Sequence, residues 1–257
     1  FANLAASYIM NVNPPRDTIR PILEKCVRLS PEEIMPTATL LQWAISDNDM
    51  EKVIELCRPA SEYHPEIPTF SLYLAIAYFQ SDKSKEALEV IEKALDADNE
   101  NADPEIMTEM YALLGDLRHE KGDSDGAFEA YESALSYKSS NIGVLNNYAY
   151  YLSLMGEQLE KAEDMSYRTV KAEPSNWTYL DTYAWILFKE ERYSEAHIYI
   201  DEALKNGGRA HADIIEHAGD IYFKSGDKAG ALVLWKEALE AGSESKTIKR
   251  KIKIKKY

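Results

Sequence analysis

Apolar and polar positions follow a helical period through most of the chain, and the pattern is clearest from Trp177 to Gly208. Leu180, Tyr183, Ala184 and Leu187 fall at i, i+3, i+4 and i+7, which places all four on one face of a helix. Ala196, Ile200, Ala203 and Leu204 form the same kind of stripe on a second helix immediately after it. Neither stripe can be buried by its own helix, so each requires a neighbour. Repetition supplies one: Ala184 has counterparts at Ala149 and Gly219, and Ala196 at Ala162 and Ala231, 34 or 35 residues away. A fixed period of that length decides the architecture before any other feature does.

Extended along the chain, the period places Leu41, Ala75, Gly115, Ala149, Ala184 and Gly219 at one small site in the first helix (A) of successive units. Val53, Ala87, Ala127, Ala162, Ala196 and Ala231 hold the matching site in the second helix (B). Small residues are needed there because two antiparallel helices approach closely only where side chains are short. Ile19 and Leu23 continue the B pattern upstream. The expected units are 1–33, 34–67, 68–101, 108–141, 142–176, 177–210 and 212–243, with a tail over 244–257. Lys121-Gly122-Asp123, Ser225-Gly226-Asp227 and Asp47-Asn48-Asp49 supply turns that tolerate a left-handed residue. Pro31, Pro65, Asn99, Ser139, Pro174 and Gly208 close the units.

Some positions depart from the period. Pro59 lies inside helix B of its unit and is expected to kink or end it, whereas Pro21 is expected in a first turn. Residues 102–107 are extra, and Asp103-Pro104-Glu105 predicts that they lengthen a helix from its start. One extra residue falls in the turn Gly156-Glu157-Gln158-Leu159.

Ile215, Ala218, Gly219, Tyr222, Ala231, Trp235 and Ala238 resemble the motif of the tetratricopeptide repeat. Tyr111, Leu114, Gly115, Ala127, Tyr131 and Ala134 form a second copy, and the stretch from Leu180 to Ala203 a third. The resemblance covers nearly the whole chain. It implies an all-α, right-handed α-solenoid of about seven helix-turn-helix units with a C-terminal capping helix. The later units are also similar to the carboxy-terminal repeats of bacterial tetratricopeptide proteins, many of them cell-envelope lipoproteins. That likeness implies a bacterial, lipid-anchored periplasmic setting, with a cytoplasmic one as the alternative. The chain opens on Phe1 without a charged and apolar leader, so it is read as an excerpt.

Composition narrows the partners. The net charge of −15 and pI near 4.8 oppose a phosphate backbone, so nucleic acid is not the expected partner. No apolar run reaches the roughly 18 residues of a membrane span. Cys26 and Cys57 both fall on apolar stripes and are read as buried free thiols. His64, His119, His197, His211 and His217 show no metal-binding spacing, and no catalytic or nucleotide-binding motif is present. No cofactor is therefore expected. The tail differs in sign: seven of the chain's 29 basic residues lie between Ser243 and Tyr257. Ile248 and Ile252 share one face there, which predicts a short closing helix, with docking of its charge on the acidic body or on anionic lipid as the other use.

The resemblance also implies that the first helix of each unit lines a concave, protein-binding wall. Carried over by position, that wall comprises Leu72, Ile76 and Phe79; Ala112, Asp116 and His119; Asn146, Tyr150 and Ser153; Asp181, Trp185 and Phe188; and Glu216, Asp220 and Phe223. Tyr150, Trp185 and Phe188 stand either in packing between adjacent first helices or in a contact stripe. The implied function is a non-enzymatic, monomeric scaffold for a protein or peptide carrying apolar and basic residues. The alternative is a recruiting domain of an enzyme whose catalytic part lies outside this chain. The register itself is testable: Ala196→Leu should cost about 1–3 kcal/mol by overpacking, and Glu195→Ala no more than about 0.5 kcal/mol. Equal thermal shifts for the two variants would reject the assigned register.

Overall fold

The computed structural model describes residues 15–97, 102–156 and 158–254. The first half of the leading unit, Asn99, Glu157 and the last three tail residues lie outside the described residues. Among those described there are fourteen α-helices, one short 3-10 turn over Gly208–Ala210, and no strand. The fold class is the all-α helix-pair repeat. The helices are α1 (Arg16–Leu29), α2 (Ile34–Ser46), α3 (Met50–Tyr63), α4 (Pro68–Gln80), α5 (Ser84–Leu95), α6 (Pro104–Glu120) and α7 (Ser124–Tyr137). They continue as α8 (Ile142–Met155), α9 (Leu159–Ala172), α10 (Trp177–Lys189), α11 (Tyr193–Lys205), α12 (Ala212–Ser225), α13 (Lys228–Glu240) and α14 (Ile248–Ile254).

The chain divides into two compact units, Phe1–Ser139 and Ser140–Tyr257. In the first, α1 precedes the pairs α2/α3, α4/α5 and α6/α7, and each helix packs on the next in sequence. In the second, the pairs α8/α9, α10/α11 and α12/α13 are followed by α14. First helices also touch the first helices of neighbouring pairs: α4 meets α6, and α10 meets both α8 and α12. Each unit has its own apolar cluster, running from Ile19 to Ala130 in one and from Val170 to Ile248 in the other. Ala196 is fully buried and Glu195 is exposed.

The crossing of the two helices in each pair follows one volume rule. Sixteen residues after the small site of the first helix, the second helix carries a residue that complements it in size: Leu41/Cys57, Ala75/Ile91, Gly115/Tyr131, Ala149/Met165, Ala184/Ile200 and Gly219/Trp235. All twelve are buried. The larger one member is, the smaller the other, as close packing requires. At the two glycines the fit is tight: an added Cβ would stand 2.6 Å from the Tyr131 ring at Gly115, and 2.4 Å from the Trp235 ring at Gly219.

Seven residues beyond each small site the chain turns through a left-handed residue: Asn48, Asp82, Gly122, Gly156, Glu191 and Gly226. Gln158, beside the extra residue of the α8–α9 turn, is left-handed as well. Asp123 and Asp227 then cap the next helix, accepting from the Gly126 and Gly230 amides at 3.1 and 2.8 Å. Asp103 does the same for the 17-residue α6, which begins at Pro104 and absorbs the insertion as expected.

Pro59 does not end its helix, and Pro21 lies deeper in its helix than expected. Helix α3 runs through Pro59 to Tyr63, and Pro21 sits at the sixth position of α1, beyond its first turn. Pro59 gives up only the bond to the carbonyl of Glu55, an exposed residue that water can serve. Next to it, the Arg58 guanidinium donates to the Tyr78 hydroxyl at 2.6 Å and fastens α3 to α4. Tertiary attachment thus outweighs the local penalty. Cys26 and Cys57 are free and buried, and burial pushes the Cys57 thiol up to about 12.

The volume rule makes a signed prediction. On an open helical surface Gly→Ala stabilises by about 1 kcal/mol; Gly115→Ala should instead destabilise by about 1–3 kcal/mol. Adding Tyr131→Ile recreates the Ala/Ile pair found at Ala184 and Ile200. The double variant should lie about 1 kcal/mol or more above the sum of the singles in urea unfolding, and strict additivity would show that ring and glycine do not meet.

Candidate protein-binding site

The wall residues fall into equivalent rows one repeat apart. In the first unit Leu72 is wholly buried in the core, while Ile76 and Phe79 are half-buried against it. Asp116 follows Gly115 and accepts a short hydrogen bond from the Tyr131 hydroxyl. His119 and Ala112 are half-buried on the same helix. Burial lowers the His119 pKa, and the Asp116 charge opposes that shift.

In the second unit, Asn146, Asp181 and Glu216 form one row along α8, α10 and α12. Tyr150, Trp185 and Asp220 form the next, and Ser153, Phe188 and Phe223 the third. The family resemblance assigned all nine to a common wall, but most are engaged within the molecule. Trp185 and Phe188 are only 8% and 5% exposed and stack on one another at 4.9 Å. His217 of α12 also stacks on Trp185, at 4.1 Å, so these rings fill the contact between α10 and α12. Ser153 is buried and donates to the Tyr150 carbonyl at 2.6 Å. Tyr150 and Phe223 are the half-exposed aromatics of the rows.

Each acid has a partner that spacing alone did not reveal. Asp181 accepts from His217 Nδ1 at 3.0 Å. Asp220 accepts from Trp235 Nε1 at 2.8 Å and from Lys251 Nζ at 2.6 Å. Glu216 accepts from the Ser243 and Ser245 hydroxyls at 2.8 Å each and from Lys251 Nζ at 2.9 Å. A sequence signal for part of this exists: Gly115-Asp116 and Gly219-Asp220 are both followed at the same distance by a ring with a polar tip, Tyr131 or Trp235. The glycine admits the ring and the aspartate receives its N–H or O–H.

These contacts set the charges. Burial works to raise the Glu216 pKa, but the bonds from Lys251, Ser243 and Ser245 outweigh it and leave it below the usual range. Burial keeps Asp220 above its usual value despite Lys251 and Trp235. Burial opposes the charge on Lys251, yet Asp220 and Glu216 raise its pKa. Beside this cluster is a cleft of about 510 Å³, bordered by Trp185, Asp213, His217, Thr247 and Arg250. The Trp185 Nε1–H is buried without a hydrogen-bond partner, and so is Asn146 Oδ1. Among the described residues no group of three or more His, Cys, Asp or Glu side chains could hold a metal ion, and no helix is long and apolar enough to cross a membrane.

Models of the tetratricopeptide repeat match residues 54–102 and 108–141. The chain carries tetratricopeptide repeats. Solved structures agree on the fold. One is a tetratricopeptide repeat protein from Parabacteroides merdae, 15% identical, with TM-score 0.59, covering 91% of this chain and 98% of that one. A chain of the APC/C hetero-tetramer Cut9–Hcn1 is 15% identical with TM-score 0.69, over 93% of this chain and 45% of that one. Pseudomonas aeruginosa PilF is 19% identical with TM-score 0.56, over 68% and 76%. At these identities the likeness speaks for the fold alone. A search of curated protein sequences gives no significant match. The repeats place this chain in the general class of protein–protein interaction scaffolds, whose fold is typically non-catalytic.

The His217–Asp181 pair gives a pH prediction. Burial lowers the imidazole pKa, but the charge and hydrogen bond of Asp181, aided by Asp220 and Asp213, raise it above its ordinary 6.5. A raised folded-state value means that the stabilisation is complete below pH 6.5 and disappears as the pH climbs through the folded-state pKa. Urea unfolding of wild type and His217→Gln should therefore differ most near pH 5.5–6 and converge at alkaline pH. A gap that widens with pH would contradict the assigned ion pair.

Proposed function

We propose that the chain is a non-enzymatic scaffold that takes up an apolar, Lys- or Arg-bearing segment of a partner protein along α8, α10 and α12. The observation that carries this reading is the setting of Tyr150. Its ring is half-exposed on α8, and burial together with the charges of Asp181 and Asp213 raises its hydroxyl pKa. Asp213 itself is exposed at the start of α12. A lysine laid across that ring keeps its aliphatic stem on apolar surface and brings its ammonium to a carboxylate. Phe223 offers a second half-exposed ring, already approached by Lys228 at 5.7 Å. Trp185 and Phe188 support these rings from within the stack. Asp181, Asp213, Glu216 and Asp220 along these helices disfavour a partner's terminal carboxylate.

Fluorescence anisotropy with synthetic peptides tests the reading. Peptides combining Leu or Phe with Lys should bind, and the same peptides with Glu for Lys should not. Tyr150→Ala should weaken binding about tenfold, or about 1.4 kcal/mol. Asp213→Asn should flatten the loss of affinity with rising salt. A preference for acidic carboxy termini, indifferent to both substitutions, would overturn it.

A further inference from the structure

The chain already places a lysine of its own in the acidic row, and that contact defines a second, more specific site. Helix α14 is anchored by one face only. Ile248 is wholly buried in the apolar cluster, Ile252 packs against the same cluster, and Lys251 sits between Glu216 and Asp220. The carboxylates holding it are 10% and 3% exposed, and the lysine side chain 12%. Lys246, Lys249, Arg250 and Lys253 are all exposed. The anchoring pattern is thus an isoleucine followed at the third position by lysine and at the fourth by isoleucine, one stripe of a helix.

Resting on the scaffold reading above, we propose that α14 is a displaceable internal ligand. Its place is taken by a partner's basic amphipathic helix carrying the same apolar-x-x-Lys-apolar pattern. Three features make the helix displaceable. Its seven described residues fall far short of the roughly 12–15 that hold a helix together alone, so its structure depends on docking. The chain from Ala241 to Thr247 is non-helical and turns through left-handed Gly242, so α14 can leave without disturbing α13. Its outward lysines and arginine repel one another wherever it sits.

Glu216 and Asp220 give the site its need for a cation: left without Lys251, two buried carboxylates face each other unpaired. The cleft beside Lys251 extends to Trp185, beyond what α14 fills. A longer helix from a partner therefore finds surface that the tail leaves uncovered. Because the tail is tethered at an effective concentration of order mM, it lowers the apparent affinity of every competitor, and weakening its anchors raises that affinity.

The probe is a fluorescein-labelled peptide with the sequence of residues 243–257, added to the full chain. Wild type should bind it weakly. Ile248→Asp, which removes the apolar anchor, should bind it at least tenfold more tightly. Lys251→Ala should act in the same direction and serves where circular dichroism shows Ile248→Asp to be unfolded. A peptide carrying Glu in place of the Lys251 equivalent should lose binding, as should Glu216→Gln/Asp220→Asn in the Ile248→Asp chain. Equal affinity of wild type and folded anchor variants would overturn the proposal, and so would tight binding of the Glu-bearing peptide. Tyr150→Ala separates the two readings. If it leaves binding of the tail peptide intact while no Lys peptide binds wild type, the internal-ligand site stands and the broader scaffold reading fails. If wild type binds Lys peptides through Tyr150 but the anchor variants change nothing, the internal ligand alone is rejected.

Discussion

Everything in this molecule depends on how closely two antiparallel helices can cross. A helix pair buries its apolar stripes only if the backbones come together at one point, and the side chains meeting there must share a fixed volume. The chain meets that constraint six times by different divisions of the same space. Glycine meets tryptophan or tyrosine directly, and the buried pairs of alanine with isoleucine or methionine and of leucine with cysteine, at the same separation, follow the same trade of volume. The left-handed turn seven residues on has to follow each crossing, and even Asp82 and Glu191 accept that conformation although it disfavours side chains.

The two glycine solutions have a chemical consequence. A ring with a polar tip in a dry crossing needs an acceptor, and in both cases the acid next to the glycine provides it. Asp116 and Asp220 are therefore part of the packing as well as of the wall. At Asp220 the two roles meet, because the carboxylate that receives Trp235 also receives Lys251. The end of the stack and the candidate binding surface are thus made of the same groups.

Charge is distributed to match. A chain of net charge −15 gathers seven basic residues in its last fifteen positions, and Lys251 among them turns inward onto two buried acids of the wall, Glu216 and Asp220. An open stack end must be covered by something apolar beneath and polar above. Here that cover is also a chemical copy of the partner proposed for the neighbouring surface.

The helices, their pairing, the turns and the lengthened start of α6 could be read from the sequence. Each is set by interactions within a few residues or by a period that repeats many times. Positions 16 apart were likewise present to be paired, since a helix, a turn and a helix fix that separation. The fate of the wall was decided elsewhere. Trp185 points away from its own pair, and only the arrival of α12, carrying His217 from 32 residues away, turns that outward face into an interior one. Asp181 and Glu216 looked free for the same reason: their partners lie on the next pair or in the tail. Helical period determines which way a side chain points, whereas burial and pairing depend on the shift and rotation between successive pairs, and those exist only once the stack is built.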